Sequence, residues 1–348
     1  MGSRTTMGAR LLITGSTGFI GSRVAAAAVT RPEPAHVRLL ARRESVPPVA
    51  GSVGSARSAR SARSAGSAGS AGSVGPANGP TVETVPGDLR DPASLRRACE
   101  GVDVLIHCAS AIGSDEELAR TVNDEGTRAL VDAAVRAGVT RIVSLSTASV
   151  HGRGPFRAAA PGTLPLAPVS ATSRTRAAGE RHVMDAGGTV LRPHLVYGTG
   201  DRQVLPGLVR LLAALPGPLT GGDSLHSVID VESLAGALLG AALSPRTEAG
   251  PYYADHPEPV PVAELLAAAE ALLTHRAGPP RGPAVSIATA RELLVDVPFA
   301  QHHLDMLATD HWFADDRLWV DLDCDPGPGF TGGFADHVPW YRTLLDRS

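Results

Sequence analysis

Lysine is missing from this chain: all 32 of its basic residues are arginine. A guanidinium stays charged under ordinary conditions, so no side-chain amine is on hand to titrate during a reaction. Cysteine is scarce too. Cys99, Cys108 and Cys324 are odd in number and lack metal-ligand spacing, which argues against a disulfide framework and fits a reducing cytoplasm. No apolar run comes near the ~18 residues that span a bilayer. The longest, such as Leu234 to Leu243, fall far short. A secretory leader is not expected, because the apolar run after Arg10 turns straight into Thr14-Gly15. Neither sign of charge dominates: 32 basic against 35 acidic residues leave a net charge of −3. Such a chain has no long-range pull toward nucleic acid or an acidic membrane. A small-molecule partner and a cytoplasmic location are the expectations that remain.

What is present divides unevenly. The 348 residues are about two domains' worth at roughly 150 residues each. The excess of Ala, Arg, Gly and Pro reads as the coding bias of a GC-rich bacterial genome. From Ser45 to Pro80 the chain is nearly all Ser, Ala, Gly, Arg and Pro, with Ser-Ala-Arg three times and then Ser-Ala-Gly three times. That stretch has no apolar period and no aromatic residue, so it cannot bury enough to offset its ordering entropy. A disordered insertion between two structured elements is expected. The alternative is an arginine-bearing tether that touches phosphates.

Around the insertion, short apolar runs alternate with helical stretches. Strands are expected at 10–14, 37–41, 82–85, 104–107, 141–145 and 189–191, with helices to about Val29 and over 92–100 and 116–137. This alternation gives right-handed βαβ units and a buried parallel sheet. The expected class is α/β: a doubly wound Rossmann domain over residues 8–200, with a smaller α/β substrate lobe over 201–348 partly interleaved with it.

The first βα unit carries the clearest motif. Gly15-Ser16-Thr17-Gly18-Phe19-Ile20-Gly21 follows the strand Leu11-Leu12-Ile13-Thr14 and opens a helix. Gly15 permits the tight turn, Gly18 lets the backbone approach a pyrophosphate, and Gly21 lets helix pack on strand. The pyrophosphate would rest on the helix N-terminus, where unpaired N–H groups and the dipole favour anions.

Further marks follow in order: Gly87-Asp88-Leu89-Arg90-Asp91, His107-Cys108-Ala109-Ser110, Asn123-Asp124-Glu125-Gly126-Thr127, Ser146-Thr147-Ala148-Ser149-Val150-His151-Gly152 and Leu191-Arg192-Pro193-His194-Leu195-Val196-Tyr197-Gly198. With the glycine turn, they resemble the extended short-chain dehydrogenase/reductases, the sugar-nucleotide epimerase/dehydratase-like group. The likeness runs from Arg10 nearly to the C-terminus. It implies that Asp88 and Leu89 border the adenine, that Ala109 and Ser110 line the cofactor's ribose side, and that Pro193, His194 and Val196 flank the nicotinamide.

Cofactor choice can be argued from charge. An NAD enzyme keeps an acid at the end of the second strand to hold the ribose hydroxyls. Here that place reads Leu40-Ala41-Arg42-Arg43, with no carboxylate before Glu44. Arg42 and Arg43 suit a 2′-phosphate by charge and by forked donors. NADP(H) is the expected cofactor.

The family's usual catalytic set is a Ser or Thr, a Tyr and, four residues on, a Lys. By the resemblance Thr147 holds the first place. Counting forward from Thr147 and back from Glu180 puts Thr172 where the Tyr belongs and Arg176 where the Lys belongs. A threonine hydroxyl titrates far above tyrosine's ~10 and is a poor proton shuttle. The four tyrosines, Tyr197, Tyr252, Tyr253 and Tyr341, offer no ready replacement. Ser149, His151 and Tyr197 are candidates to line the substrate, and His151 and His194 are weighed as proton donors. No compact ligand set accompanies His302-His303 or Asp310-His311, so no metal is expected.

The fuller pattern around 168–176 and 189–198 resembles actinobacterial polyketide-tailoring ketoreductases that lack the Tyr and Lys. That likeness implies NADPH-dependent reduction of a ring ketone on an aromatic polyketide, angucyclinone-like, in antibiotic biosynthesis, with the substrate helping to stabilise its own alkoxide. A TDP-4-keto-6-deoxyhexose reductase and a non-catalytic NADP-binding protein are the alternatives.

Overall fold

Seven parallel strands form the centre of the computed structural model, which describes residues 8–42, 79–278, 282–322 and 324–347. Strand β1 (Ala9–Thr14) sits inside the sheet, and its consecutive Leu11, Leu12 and Ile13 are fully buried. Only a strand covered on both faces can bury such a run. From β1 the chain winds one way through β2 (Pro34–Ala41) and β3 (Thr81–Pro86). It then returns to the other side of β1 through β4 (Val104–His107), β5 (Arg141–Leu145), β6 (Thr189–Arg192) and β7 (Gly250–Tyr253). The order is β7-β6-β5-β4-β1-β2-β3. The winding reverses between β1 and β4, and in such sheets the crevice at that point takes the ligand.

Alternation along β1 decides which helix packs where. Leu11 and Ile13 join Val24, Ala25 and Ala28 of α1 (Phe19–Thr30) and the apolar run of α5 (Val231–Leu243). Leu12 faces the opposite way, toward Leu95 of α2 (Pro92–Cys99), Leu130 and Ala134 of α3 (Thr127–Arg136) and Val183 of α4 (Ala171–Asp185). The longest apolar stretch of the sequence is thus a core helix, whose outer side Leu318 and Leu322 cover. Among the described residues no helix is long and apolar enough to cross a membrane.

One expectation needs adjusting. The helix expected over 116–137 is broken by wide π-helical turns at Arg120–Gly126. This stretch carries Asn123, whose amide bonds to the loop after β4, and such widened turns often mark functional sites. The division near residue 200, expected to be partly interleaved, is crossed in both directions. Helix α5 and strand β7 belong to the main sheet, whereas Phe156–Ala159 pairs with His311–Phe313 in a four-stranded sheet of the smaller lobe. Of the compositionally simple stretch 45–80, residues 45–78 lie outside the described residues, as does Arg43; Gly79 and Pro80 lead into β3.

Candidate active site

The glycine turn closes the β1 side of the crevice. Gly15 has φ of +73°, and a Cβ there would lie 2.6 Å from the backbone N of Ala109, which follows β4. A Cβ on Gly21 would lie 2.2 Å from the Gly15 carbonyl oxygen. The Gly18 N–H donates to that same carbonyl at 2.9 Å, and Gly18 then starts α1 with no side chain capping it. Ser16 Oγ is buried without a hydrogen-bond partner. An orphaned hydroxyl beside an uncapped helix end, on a turn that tolerates no side chain, fits the diphosphate of a dinucleotide. Thr17, Phe19 and Ile20 complete the turn, and Phe19 packs against Gly200.

Below the turn, polar groups brace the strands. Thr14 Oγ1 meets His107 Nδ1 at 2.7 Å and accepts the Ala109 N–H at 3.3 Å. His107 Nε2 meets Thr127 Oγ1 at 3.0 Å. Burial, helped by the charge of Arg176, pushes the His107 imidazole down to about 4. Asn123 Oδ1 accepts from Ser110 Oγ and the Ala111 N–H, while its Nδ2 donates to Ala111 O and Thr175 Oγ1. The loop expected to line a ribose is therefore pinned by a residue whose bonding role the sequence motif alone did not reveal.

At the far corner, Asp88 accepts from Arg90 Nε at 3.0 Å and from its terminal nitrogen at 2.8 Å. Those bonds, aided by the charges of Arg90 and Arg42, hold the Asp88 carboxyl down to about 2. Arg42 stands exposed just past the end of β2. Leu89 turns into the core at 7% exposure, so its side chain supports this corner from beneath.

The three positions expected to replace the catalytic set all lie near the carboxyl edge, and each is already engaged. Thr147 Oγ1 accepts the Ser149 N–H at 3.2 Å and caps the turn Ala148–His151. Thr172 Oγ1 is 3.3 Å from Gly113 O and 3.4 Å from Gly113 N. Arg176 donates to Leu145 O at 2.9 Å, at the end of β5. Burial works against its charge, and the nearby Glu180 and Cys108 offset part of that cost.

A cavity of about 330 Å³ lies between the sheet's carboxyl edge and the smaller lobe. Ser149, Phe156, His194, Met306, His311 and Phe313 help to line it. Neither Thr147 nor Thr172 does; their neighbours Ala148, Ser149, Ser170 and Ser173 do. Two expected lining residues must be corrected. His151 is buried, with Nδ1 at 2.9 Å from Pro165 O and Nε2 at 2.9 Å from the Tyr253 hydroxyl. Tyr197 is 1% exposed and packs against Phe330 and His337. Both point into packed protein.

Pro193 and Val196 flank the sheet edge as β6 runs out: Pro193 O accepts the Ala148 N–H at 2.8 Å, and Val196 lies in the short strand Leu195–Tyr197. His194 belongs to a group the sequence did not foretell. Its ring stacks at 5.2 Å on His311 and 6.0 Å on His226. Burial, then the charges of His226 and His311, hold its imidazole well below the usual range. Asp255 accepts the His194 backbone N–H at 2.9 Å, and burial pushes that carboxyl up to about 7. These residues come from separate elements, and no local spacing could have joined them.

Residues 11–253 match the model of the NAD dependent epimerase/dehydratase family. A 3beta-hydroxysteroid-dehydrogenase/decarboxylase from Arabidopsis thaliana is 28% identical over 53% of this chain and 36% of its own length. The chain thus spans about a third of that relative. A 2-alkyl-3-oxoalkanoate reductase from Stenotrophomonas maltophilia is 29% identical over 67% of this chain and 78% of its own. Among solved structures, a dTDP-glucose 4,6-dehydratase from Streptomyces venezuelae with NAD bound superposes with a TM-score of 0.67. It is 21% identical and covers 96% of this chain and 97% of its own, a likeness of fold.

Proposed function

Because the chain belongs to the NAD dependent epimerase/dehydratase family, we propose that it is an NADPH-dependent oxidoreductase that reduces a ring ketone of an aromatic polyketide. The named relatives that are dehydrogenases and reductases support the redox class. The sequence pattern around Thr172 and His194 resembles the angucyclinone ketoreductase of simocyclinone biosynthesis, which supports the substrate class and a place in antibiotic biosynthesis. Arg42, beside Asp88 and past β2, supports the 2′-phosphate form of the cofactor.

One observation carries the reading. The hydroxyl in the tyrosine's place is occupied by the Gly113 backbone, and the guanidinium in the lysine's place is occupied by Leu145 O. Neither residue titrates in the neutral range, so the family's ordinary proton supply is missing. A bound reduced nicotinamide supplies the hydride. The residues that would hold the dinucleotide are the turn from Gly15 to Gly21 for the diphosphate, Asp88 and Arg42 at the adenine end, and Arg176 at the nicotinamide ribose. What the chain then provides for the ketone is position and exclusion of water: the rings of Phe156, His194, His311 and Phe313 help to line the cavity. Negative charge growing on the ketone oxygen needs a hydrogen bond. On an aromatic polyketide a neighbouring phenolic hydroxyl is already aimed at that oxygen and donates it.

The test is a panel. NADPH is mixed with the protein and with anthraquinone or angucyclinone ketones, TDP-ketosugars, or neither, and loss of the reduced-nicotinamide absorbance is followed. Turnover confined to the aromatic ketones is expected. Turnover confined to the ketosugars would overturn the substrate class, and cofactor binding without turnover on either would overturn the enzyme reading.

A further inference from the structure

The three histidines beside the cavity do more than pack. His194, in the loop after β6, His226, in the strand Leu225–His226, and His311, in the strand His311–Phe313, each bring a ring nitrogen within 4.8 Å of the other two. Their planes lie 10° to 14° apart, with centroids 5.2 to 6.1 Å apart. Two of their nitrogens, His194 Nε2 and His226 Nδ1, are buried with no hydrogen-bond partner. A buried polar atom left unpaired loses its hydration for nothing, so two in one cluster call for something that uses their lone pairs.

The surrounding bonds settle which nitrogens are bare. The Ser224 hydroxyl donates to Leu307 O, which leaves its oxygen free to accept from His226 Nε2 at 3.2 Å. Leu307 O itself lies 3.4 Å from that Nε2. The His226 proton is therefore on Nε2, and Nδ1 presents a lone pair. His311 Nδ1 donates to Thr309 O at 2.8 Å, so its Nε2 is bare and accepts the Gly154 N–H at 3.1 Å. An outer N–H anchored on a backbone carbonyl is how ligating imidazoles are oriented in metal sites.

We propose that His194 Nε2, His226 Nδ1 and His311 Nε2 form a site for one divalent transition-metal ion of the zinc or cobalt type. Three imidazoles without a carboxylate or thiolate favour such ions over calcium or magnesium. One ring nitrogen of each residue lies within 4.8 Å of those of the other two, so a centre exists no more than about 2.8 Å from all three; shifts of about 0.7 Å, with the rings turned so that their in-plane lone pairs converge, would reach the 2.0–2.1 Å of a metal–imidazole bond. His311 gives up the Gly154 N–H in doing so. His194 and His311 help to line the cavity, and an ion that kept one position open toward it would have the three-histidine arrangement of catalytic rather than structural zinc sites. A water or a substrate oxygen would fill that position. The site does not depend on the proposed ketone reduction, and its test reads metal binding alone.

The full, untagged chain, stripped with a chelator and dialysed, is titrated with Co²⁺ while its visible ligand-field absorption is followed. We expect one Co²⁺ per chain, a spectrum of low coordination number, and displacement by Zn²⁺. The variants His226→Leu and His311→Leu should bind about a hundredfold more weakly or worse. The exposed His275→Ala should bind as the parent does. If the leucine variants fail to fold, X-ray absorption of the cobalt-loaded parent decides, with three imidazole ligands expected. The site is refuted if the parent shows no saturable one-to-one binding, if a folded His226→Leu chain binds as well as the parent, or if the absorption spectrum counts fewer than three imidazoles.

Discussion

On the proposed function, Thr172 stands where a tyrosine is usual, and that changes what the protein can do with a proton. Thr172 and Thr147 can donate hydrogen bonds but cannot shuttle protons near neutrality, and both already serve neighbouring backbone groups. Thr147→Val and Thr172→Val should each lower the NADPH-dependent rate by about tenfold or less, roughly 1.4 kcal/mol. Steady-state kinetics on the preferred ketone checks this; a loss of about a thousandfold in either would mean that the hydroxyl is the acid. Spacing alone placed these residues at the sheet edge. It misled for His151 and Tyr197. The turn Ala148–His151 swings the His151 ring into the protein, and strand alternation in Leu195–Tyr197 sends Tyr197 inward while Val196 is only partly covered. His107 makes a second case at this scale. Its folded-state pKa of about 4 lies below the ordinary 6.5, so between those values the unfolded chain takes up a proton that the folded chain refuses. Its contribution to stability is complete above pH 6.5 and fades as pH falls toward 4. Melting temperatures measured across that window should therefore drop more steeply for the parent than for His107→Gln. Equal slopes would show that the ring is not held neutral.

Elements were easier to read than side chains. Buried parallel strands announce themselves as short apolar runs, and the glycine turn is dictated by close approach: Gly15 against Ala109 and Gly21 against Gly15. The π-helical turns at Arg120–Gly126 left no trace in the apolar period, because they answer to Asn123's bonds with the loop after β4 rather than to a hydrophobic face. The end of β2 carries a prediction of its own. Arg42, with Arg43, is expected to meet the 2′-phosphate through charge-assisted hydrogen bonds. The double change Arg42→Ala/Arg43→Ala should weaken NADPH binding by about tenfold or more and leave NADH nearly untouched. Fluorescence titration with both cofactors decides; equal losses would remove the argument for NADP.

At the scale of the whole molecule, the sheet and the smaller lobe are woven together. Phe156–Ala159 is lent to the lobe, and α5 and β7 are lent back. The sequence reading expected a smaller lobe beyond residue 201, partly interleaved with the sheet, but not which elements are exchanged, because that depends on strand pairing between distant segments. The Ser45–Pro80 stretch differs from both in composition. Strands β2 and β3 are parallel, so a replacement must return along the length of β3, whose six residues at ~3.3 Å each need a linker of about ten. Residues 45–78 exchanged for a Gly-Ser linker of that length should leave melting temperature and NADPH affinity unchanged; unfolding, or loss of the cofactor, would make the stretch structural. The central claim is that the ketone's own neighbouring hydroxyl stands in for the missing tyrosine. Its most direct test is the NADPH-dependent rate on one angucyclinone-like ketone, with that hydroxyl free and with it methylated, on the parent chain. Methylation is predicted to cost far more than either threonine substitution. Undiminished reduction of the methylated ketone would contradict the account.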